Sequence, residues 1–491
     1  MRAAASGSCP GVDPLLAFDK AVGNAVERAV RAHHHRRLRR LGWEQALVPP
    51  DHALWARGGT PPRDGNSIEV LIDGAAALPR IAAEIRKARS HVHVAGWYLS
   101  PHFALTREGG RTDLHSLLET TAERVEVRVL VWAGSPLPLF RPDREDVDGV
   151  RHALEFGTRI RVAKDPKERP MHCHHEKLVV VDDRIAFVGG IDLTTLNGDR
   201  FDSPEHVARG TCGWHDATVV LRGPIVADVA EHFRLRWHEV ADETLPPTRK
   251  PRRAGDVELQ FVRTVPEKIY DALPRGEFTI LEAYTRALRS ARKLVYLENQ
   301  FFWSSEIARI LEEKLAHPPA DDFRVVLVLP IDPNDGGDDT RGQLADLIEC
   351  DGGAGRVLAC TITALGELGP CPVYVHAKIG IVDDRWLTIG SANLNEHSLF
   401  NDTEANIVCL EPALVRATRL RLWAEHLERS EYAVSADSTR VIDELWRPVA
   451  EEQLRRRERG EPQTHRLSEL PRLSRRTRRL LGPVQGLFVD G

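Results

Sequence analysis

The chain has 491 residues, of which 42% are hydrophobic and 28% charged, with a formal net charge of −5. That length predicts more than one core-bearing unit, and the composition excludes a disordered or fibrous chain. A charge balance this close to neutral announces no general polyanion-binding surface, so a nucleic-acid role would need a local basic groove.

Residues 1–65 read as an N-terminal extension. Within it RAVRAHHHRRLRR, from Arg28 to Arg40, predicts a basic helix. A charge run of this kind is expected to be a solvated face, with contact to anionic lipid as the alternative. The opening MRAAASGSCPGVDPLLAF lacks the apolar core of a signal peptide, and no segment approaches the roughly 18 apolar residues of a membrane span. The expectation is a cytoplasmic protein with, at most, peripheral contact at the inner membrane surface. The 7 cysteines are scattered without C-x-x-C spacing and read as reduced thiols rather than a disulfide or zinc framework.

Residues 66–250 and 251–435 then read as two copies of one unit. The helix end and apolar strand IRKARSHVHVAGWYLSP around Ala88 is matched by LRSARKLVYLENQFFWS around Ala291. The β-branched run VEVRVLVW (Val125 to Trp132) is matched by FRVVLVLP (Phe323 to Pro330). In the loop after the first of these, Leu137, Leu139 and Phe140 are candidates for acyl-chain contact or for core packing. The string His175-Glu-Lys177-Leu-Val-Val-Val-Asp182 recurs as His376-Ala-Lys378-Ile-Gly-Ile-Val-Asp383, followed at the same distance by Gly189 and Gly390. Further on, an acidic residue opens a strand in each copy, Asp216 and Glu404, and a closing helix carries Trp237 or Trp423. LPPTRKPRRAG, from Leu245 to Gly255, has linker composition and marks the boundary. Residues 436–491 read as a tail whose Arg472–Leu481 stretch is another charge run.

Alternating helices and β-rich segments predict an α/β fold: two homologous α-β-α layered units related by a pseudo-twofold axis, with the active site at their interface. Alternate residues of a strand share a face, so His175 and Lys177 point together, as do His376 and Lys378. A pseudo-twofold would bring two imidazoles and two ammonium groups to one point. Such a site suits a phosphate diester. Lysines neutralise the non-bridging oxygens, one imidazole attacks phosphorus, and the other protonates the departing oxygen. His172, Cys173, His174 and His175 are metal-ligand types, but neighbours in a strand face opposite ways and cannot all converge, so no metal and no cofactor is expected.

On the paired H-x-K-x-x-x-x-D motifs the chain resembles the phospholipase D superfamily. The likeness extends to GGIDL (Gly189 to Leu193), Arg200-Phe-Asp202, Trp214-His-Asp216, LENQFF (Leu297 to Phe302) and GSANLNEHSL (Gly390 to Leu399), which resemble the eukaryotic-type phospholipases D. The resemblance implies a metal-independent enzyme that hydrolyses phosphatidylcholine-like lipids to phosphatidic acid or transfers the phosphatidyl group to an alcohol. Carried over, it makes His175 the nucleophile and His376 the general acid, with Lys177 and Lys378 on the phosphate oxygens. Asp182 and Asp383 complete the catalytic motif, by bracing the backbone more than by touching substrate. Asp216 and Glu404 become the carboxylates that orient the imidazoles, and Gly190, Asp192, Ser391 and Asn393 line the phosphate site. The departures are the missing lipid-binding module ahead of the first unit and about three extra residues between Leu193 and Arg200. The chain resembles a minimal bacterial form, expected to act as a monomer on phospholipid with no nucleic-acid partner. A cardiolipin synthase-type transferase and a nuclease of the same superfamily are the alternatives.

Overall fold

The computed structural model describes residues 14–471, apart from 108–109, 138–139, 170–171, 197, 209–210, 333–336 and 368. The Arg472–Leu481 stretch and Leu139 therefore lie outside the described residues.

One strand order occurs twice. In the first unit Arg63–Ile72, Ala217–Arg222, Ile185–Gly189, Leu178–Val181 and His91–Gly96 run antiparallel to their neighbours, and Glu126–Trp132 and Arg161–Asp165 continue in parallel. In the second, Val257–Val265, Glu404–Cys409, Trp386–Gly390, Ile379–Val382, Leu294–Glu298, Arg324–Val328 and Val357–Ala364 follow the same course. The parallel strands need crossovers. Helices Leu114–Ala122 and Arg144–Glu155 supply them in the first unit, Ser305–Ala316 and Gly337–Cys350 in the second.

The period-2 pattern sets the layers. Leu178 and Val180 face a central core shared by both units, and Val179 and Val181 face the outer helices. The central layer holds the closing helices Ile225–Ala241 and Pro412–His426, whose Trp237 and Trp423 are at most 1% exposed. Truncating either tryptophan to alanine would cost about 3–5 kcal/mol, because the surrounding sheets can only partly collapse into the gap.

Beyond the shared core, backbone pairing among the described residues joins the two units at three places. Their first strands pair through Arg63 with Leu259 and Asn66 with Val257. Val373–Val375 runs parallel to Gly213–His215, and His174 makes a parallel bridge to Thr403. The last two contacts carry the chemistry into the interface.

Both ends of the chain depart from the sequence expectation. Helix Pro14–Leu41 is not simply a solvated basic helix: Leu38, with Trp43, Leu47 and Ala56 after it, joins the outer core of the second unit. Arg37 is 3% exposed and accommodated by Glu267, Asn401 and the Phe400 carbonyl, and Arg31 pairs with Glu306. Burying a guanidinium is tolerable only with such partners. Residues 436–471 are not tail either. Helix Arg447–Glu458 packs there, and Leu467–Glu469 adds an antiparallel strand to Cys360–Ile362.

No helix among the described residues is long and apolar enough to cross a membrane. Cys212, Cys360 and Cys409 are free thiols. Leu137 is exposed and Phe140 half-buried.

Candidate active site

Each motif histidine lies in an extended lead-in, with the strand beginning at Leu178 or Ile379 just after the lysine. The lead-ins are fixed by the opposite unit. His175 N donates to the Thr403 carbonyl at 2.9 Å, and His376 N donates to the His215 carbonyl at 2.8 Å. The imidazoles consequently meet at the interface with ring centroids 6.4 Å apart.

The carboxylates are exchanged. His175 Nδ1 lies 3.0 Å from Glu404 Oε1 of the second unit, and His376 Nδ1 lies 2.7 Å from Asp216 Oδ2 of the first. With Nδ1 committed to a carboxylate, Nε2 is the nitrogen left for a reacting group. Lys177 Nζ donates to the His175 carbonyl and Lys378 Nζ to the His376 carbonyl, both at 2.6 Å, which ties each ammonium to its own histidine. Lys177 also lies 3.6 Å from Asp192, whereas Lys378 donates to the neutral Gln300 at 3.1 Å. Asn393 approaches the same Gln300 oxygen at 3.4 Å.

Gly190 and Ser391 differ for a visible reason. A Cβ on Gly190 would stand 2.2 Å from Asp216 Oδ1, so only glycine leaves room for that carboxylate. At the matching place the Ser391 hydroxyl donates to Glu404, as does the Ser398 hydroxyl. Asp192 accepts from the backbone N–H groups of Trp97 and Tyr98 at 3.2 and 3.3 Å and so holds the turn after strand His91–Gly96. Asp182 and Asp383 stand at the far ends of the motif strands. Asp182 accepts from the N–H groups of Arg89, Ser90 and His91, and Asp383 from those of Arg292, Lys293 and Leu294. They complete the motif by bracing backbone: a left-handed turn at each (φ 57° and 53°) points the carboxylate at those amides.

The site is electropositive at its centre. Lys177 and Lys378 are 6% and 0% exposed, and nearly buried Arg200 lies with its Cζ 3.7 Å from the Trp214 ring centroid. Burial pushes Arg200 down to about 10, against the pull of Asp192 and Asp216. Burial, then Lys378, Arg200 and Lys177, hold His376 well below the ordinary imidazole range. Burial pushes Asp216 up to about 7 against Lys378, and Glu404 up to about 8 against Lys177 and its two serines. Each carboxylate–imidazole pair thus retains a proton near neutrality.

The His172–His175 run does not converge. His174 turns to Thr403 Oγ1 at 2.6 Å and Asp165 at 3.1 Å, and His172 to His397 at 2.8 Å. Sequence reasoning assigned no role to Gln300, Ser398, Tyr374 or the Arg200–Trp214 stack, although the Trp214 ring lies 4.5 Å and the Tyr374 ring 6.4 Å from that of His376. Arg200, Trp214, Gln300 and Ser398 lie inside the motifs that carry the family resemblance, but nothing in one dimension aims them at the imidazole.

Two duplicated sheets that pool one histidine and one lysine each into a single interfacial site define a class of protein, and comparison with known proteins agrees. The family model described as "Phospholipase D" matches residues 84–213 and 363–460, which contain both motifs. With the relatives described next, this match supports a member of the phospholipase D superfamily. The chain is 25% identical to Phospholipase D A of Dictyostelium discoideum over 460 residues and 25% identical to Phospholipase D2 of Bos taurus over 477 residues. These alignments cover 75% and 72% of this chain but only 36% and 51% of the relatives, so the chain spans a third to a half of their length. A phosphatidylserine synthase from Haemophilus influenzae Rd KW20 shares the fold, with TM-score 0.52 at 14% identity over 72% of this chain and 84% of that one.

Proposed function

We propose that the protein is a phospholipase D. It hydrolyses glycerophospholipids of the phosphatidylcholine kind to phosphatidic acid and a free headgroup alcohol, and it transfers the phosphatidyl group to other alcohols, through a covalent phosphohistidine. The observation that carries the reading is the crossed pairing: two imidazoles, each held through Nδ1 by the other unit's carboxylate, beside two buried lysines. The relatives named phospholipase D support the lipid substrate class.

Two opposing terms decide what this site accepts. Burying an ammonium costs several kcal/mol, whereas a phosphate anion about 4 Å away returns about 4 kcal/mol per lysine at an effective dielectric near 20. A diester anion between Lys177 and Lys378 therefore offsets the cost of burying them, and by neutralising those cations it lets His376 take a proton. His175 Nε2 attacks phosphorus, the P–O bond to the headgroup breaks, and His376 Nε2 supplies the proton to the leaving oxygen. Water or an alcohol then gives its proton to His376, forms the new P–O bond and releases His175. Glu404 and Asp216 stabilise the imidazolium that each ring passes through.

The test is to incubate the purified chain with phosphatidylcholine and, separately, single-stranded DNA. Headgroup release without DNA cleavage is expected, and added ethanol should divert product from phosphatidic acid to phosphatidylethanol. DNA cleavage without lipid turnover would replace the lipid reading with the nuclease one, and a product that ethanol never enters would remove the transferable intermediate.

A further inference from the structure

Behind the second motif lies an almost enclosed group of four metal-ligand side chains drawn from both units. Asp73 follows the first strand, His206 comes from the loop before Gly213–His215, His215 ends that strand, and Glu425 is in the last turn of Pro412–His426. Their side chains are at most 4% exposed. His206 Nε2 lies 3.0 Å from Glu425 Oε1 and 3.9 Å from Asp73 Oδ2, and His215 Nδ1 lies 3.0 Å from Asp73 Oδ1 and 3.3 Å from Glu425 Oε1. One ligand atom from each residue can be chosen so that all lie within 4.8 Å of one another. Ligands about 2.0–2.1 Å from a tetrahedral ion stand about 3.3 Å apart, a value that the four carboxylate–imidazole separations bracket, and a pair at the 4.8 Å limit would close by about 1.5 Å on binding.

Two further observations point to an ion rather than to hydrogen bonds alone. Asp73 Oδ2 is buried without a hydrogen-bond partner although it faces the group, and His215 Nδ1, 3.0 Å from Asp73 Oδ1 and 3.3 Å from Glu425 Oε1, stands between two carboxylates rather than in line with either. The outward nitrogen of each imidazole also meets a carboxylate: His206 Nδ1 is 3.3 Å from Asp202, and His215 Nε2 is 2.8 Å from Glu298, which in turn lies 2.9 Å from His426. A carboxylate behind each histidine is the arrangement that fixes the tautomer of metal-bound imidazole.

We propose that Asp73, His206, His215 and Glu425 bind one divalent transition-metal ion, zinc by this ligand set, as a structural site. Four protein ligands close the coordination, so the ion offers no open position for substrate and takes no part in phosphoryl transfer. Its work is positional. Asp73 Oδ1 accepts from Asp216 N at 3.0 Å, Asp73 N donates to the Asp216 carbonyl at 2.8 Å, and the His215 carbonyl receives both His376 N and Ala377 N. An ion on Asp73 and His215 fixes the strand that delivers Asp216 to His376. This assignment stands on its own ligand geometry and holds whichever phosphodiester is the substrate.

The test is elemental analysis of the full chain purified without a metal-affinity step. About one zinc per chain is expected, retained on dialysis against EDTA because the site is almost enclosed, and falling below about a tenth in the His206→Gln, Glu425→Gln double variant. Since that variant could fail to fold, the wild-type chain is also unfolded with chelator and refolded with or without one equivalent of Zn²⁺. Zinc should raise the melting temperature by roughly 5–10 °C, and cobalt in its place should give the visible absorption of a tetrahedral ion. Less than about a tenth of an equivalent in both purified and zinc-refolded wild type overturns the proposal. Full retention by a folded double variant does the same, because the ion would then sit elsewhere, as at His172, His397 and Asp402.

Discussion

The first and second motifs share a backbone plan but not a chemical setting. Glu404, which serves His175, receives hydroxyl donors from Ser391 and Ser398, whereas Asp216, which serves His376, packs against Gly190 and accepts from Ala217 N at 2.7 Å. Lys177 has Asp192 nearby, but Lys378 has the neutral Gln300. The two copies of one backbone arrangement therefore sit in different charge environments, and the proposed reaction requires them to differ, since one imidazole would attack without a proton and the other arrive with one.

The largest effect should come from breaking that division directly. His376→Ala is expected to lower turnover of a choline ester roughly 10²–10⁴-fold, yet to leave the first step with a p-nitrophenyl diester, whose phenolate departs without a proton. Intact-mass measurement should then find phosphate stalled on His175 after a burst of p-nitrophenol, and His175→Ala should give no burst. An adduct on the His175→Ala protein would reverse the assignment.

Next in size is the pH profile. With Asp216 near 7 and Glu404 near 8, kcat/KM should be bell-shaped between those values. Below the lower one both pairs hold a proton and neither imidazole can attack, and above the upper one neither can protonate the leaving group. Between them the reactive form, with the proton on the His376 pair, is the minor of two singly protonated arrangements until a bound diester draws the proton to His376. Asp216→Asn and Glu404→Gln should each cost roughly 10²–10⁴-fold and abolish one limb, while circular dichroism shows a folded chain. Wild-type turnover in both would detach these carboxylates from the chemistry.

The smallest change makes the copies alike. Ser391→Gly removes one of the hydroxyls on Glu404, which should cost about 1–3 kcal/mol in denaturant unfolding and move the alkaline limb upward, since that hydrogen bond favours the ionised carboxylate. The reverse swap, Gly190→Ser, should be more damaging, because its Cβ meets Asp216 at 2.2 Å. Equal tolerance of the two swaps would mean that the difference between the copies is incidental.

Much of this was legible in one dimension, for identifiable reasons. The α/β layering followed from period-2 runs between helical segments, and the common site from two motifs in register. The crossing was not legible: aligning Asp216 with Glu404 says that they are equivalent, not which histidine each faces. That depends on Val373–Val375 pairing with Gly213–His215, a three-residue contact with no signature of its own. Leu467–Glu469 was missed for the same reason, being too short to show alternation. The Asp73, His206, His215 and Glu425 group was invisible because its members are far apart in sequence and gather only when the units dock.

The exchanged carboxylates also bear on robustness. A duplicated chain ordinarily carries a spare, so that a lesion in one copy leaves the other working. Here neither copy is complete, since each imidazole depends on an acid encoded in the opposite half. A lesion at Glu404 would strip His175 of its carboxylate and one at Asp216 would do the same to His376, so the duplication would give the two halves a shared fate rather than a reserve.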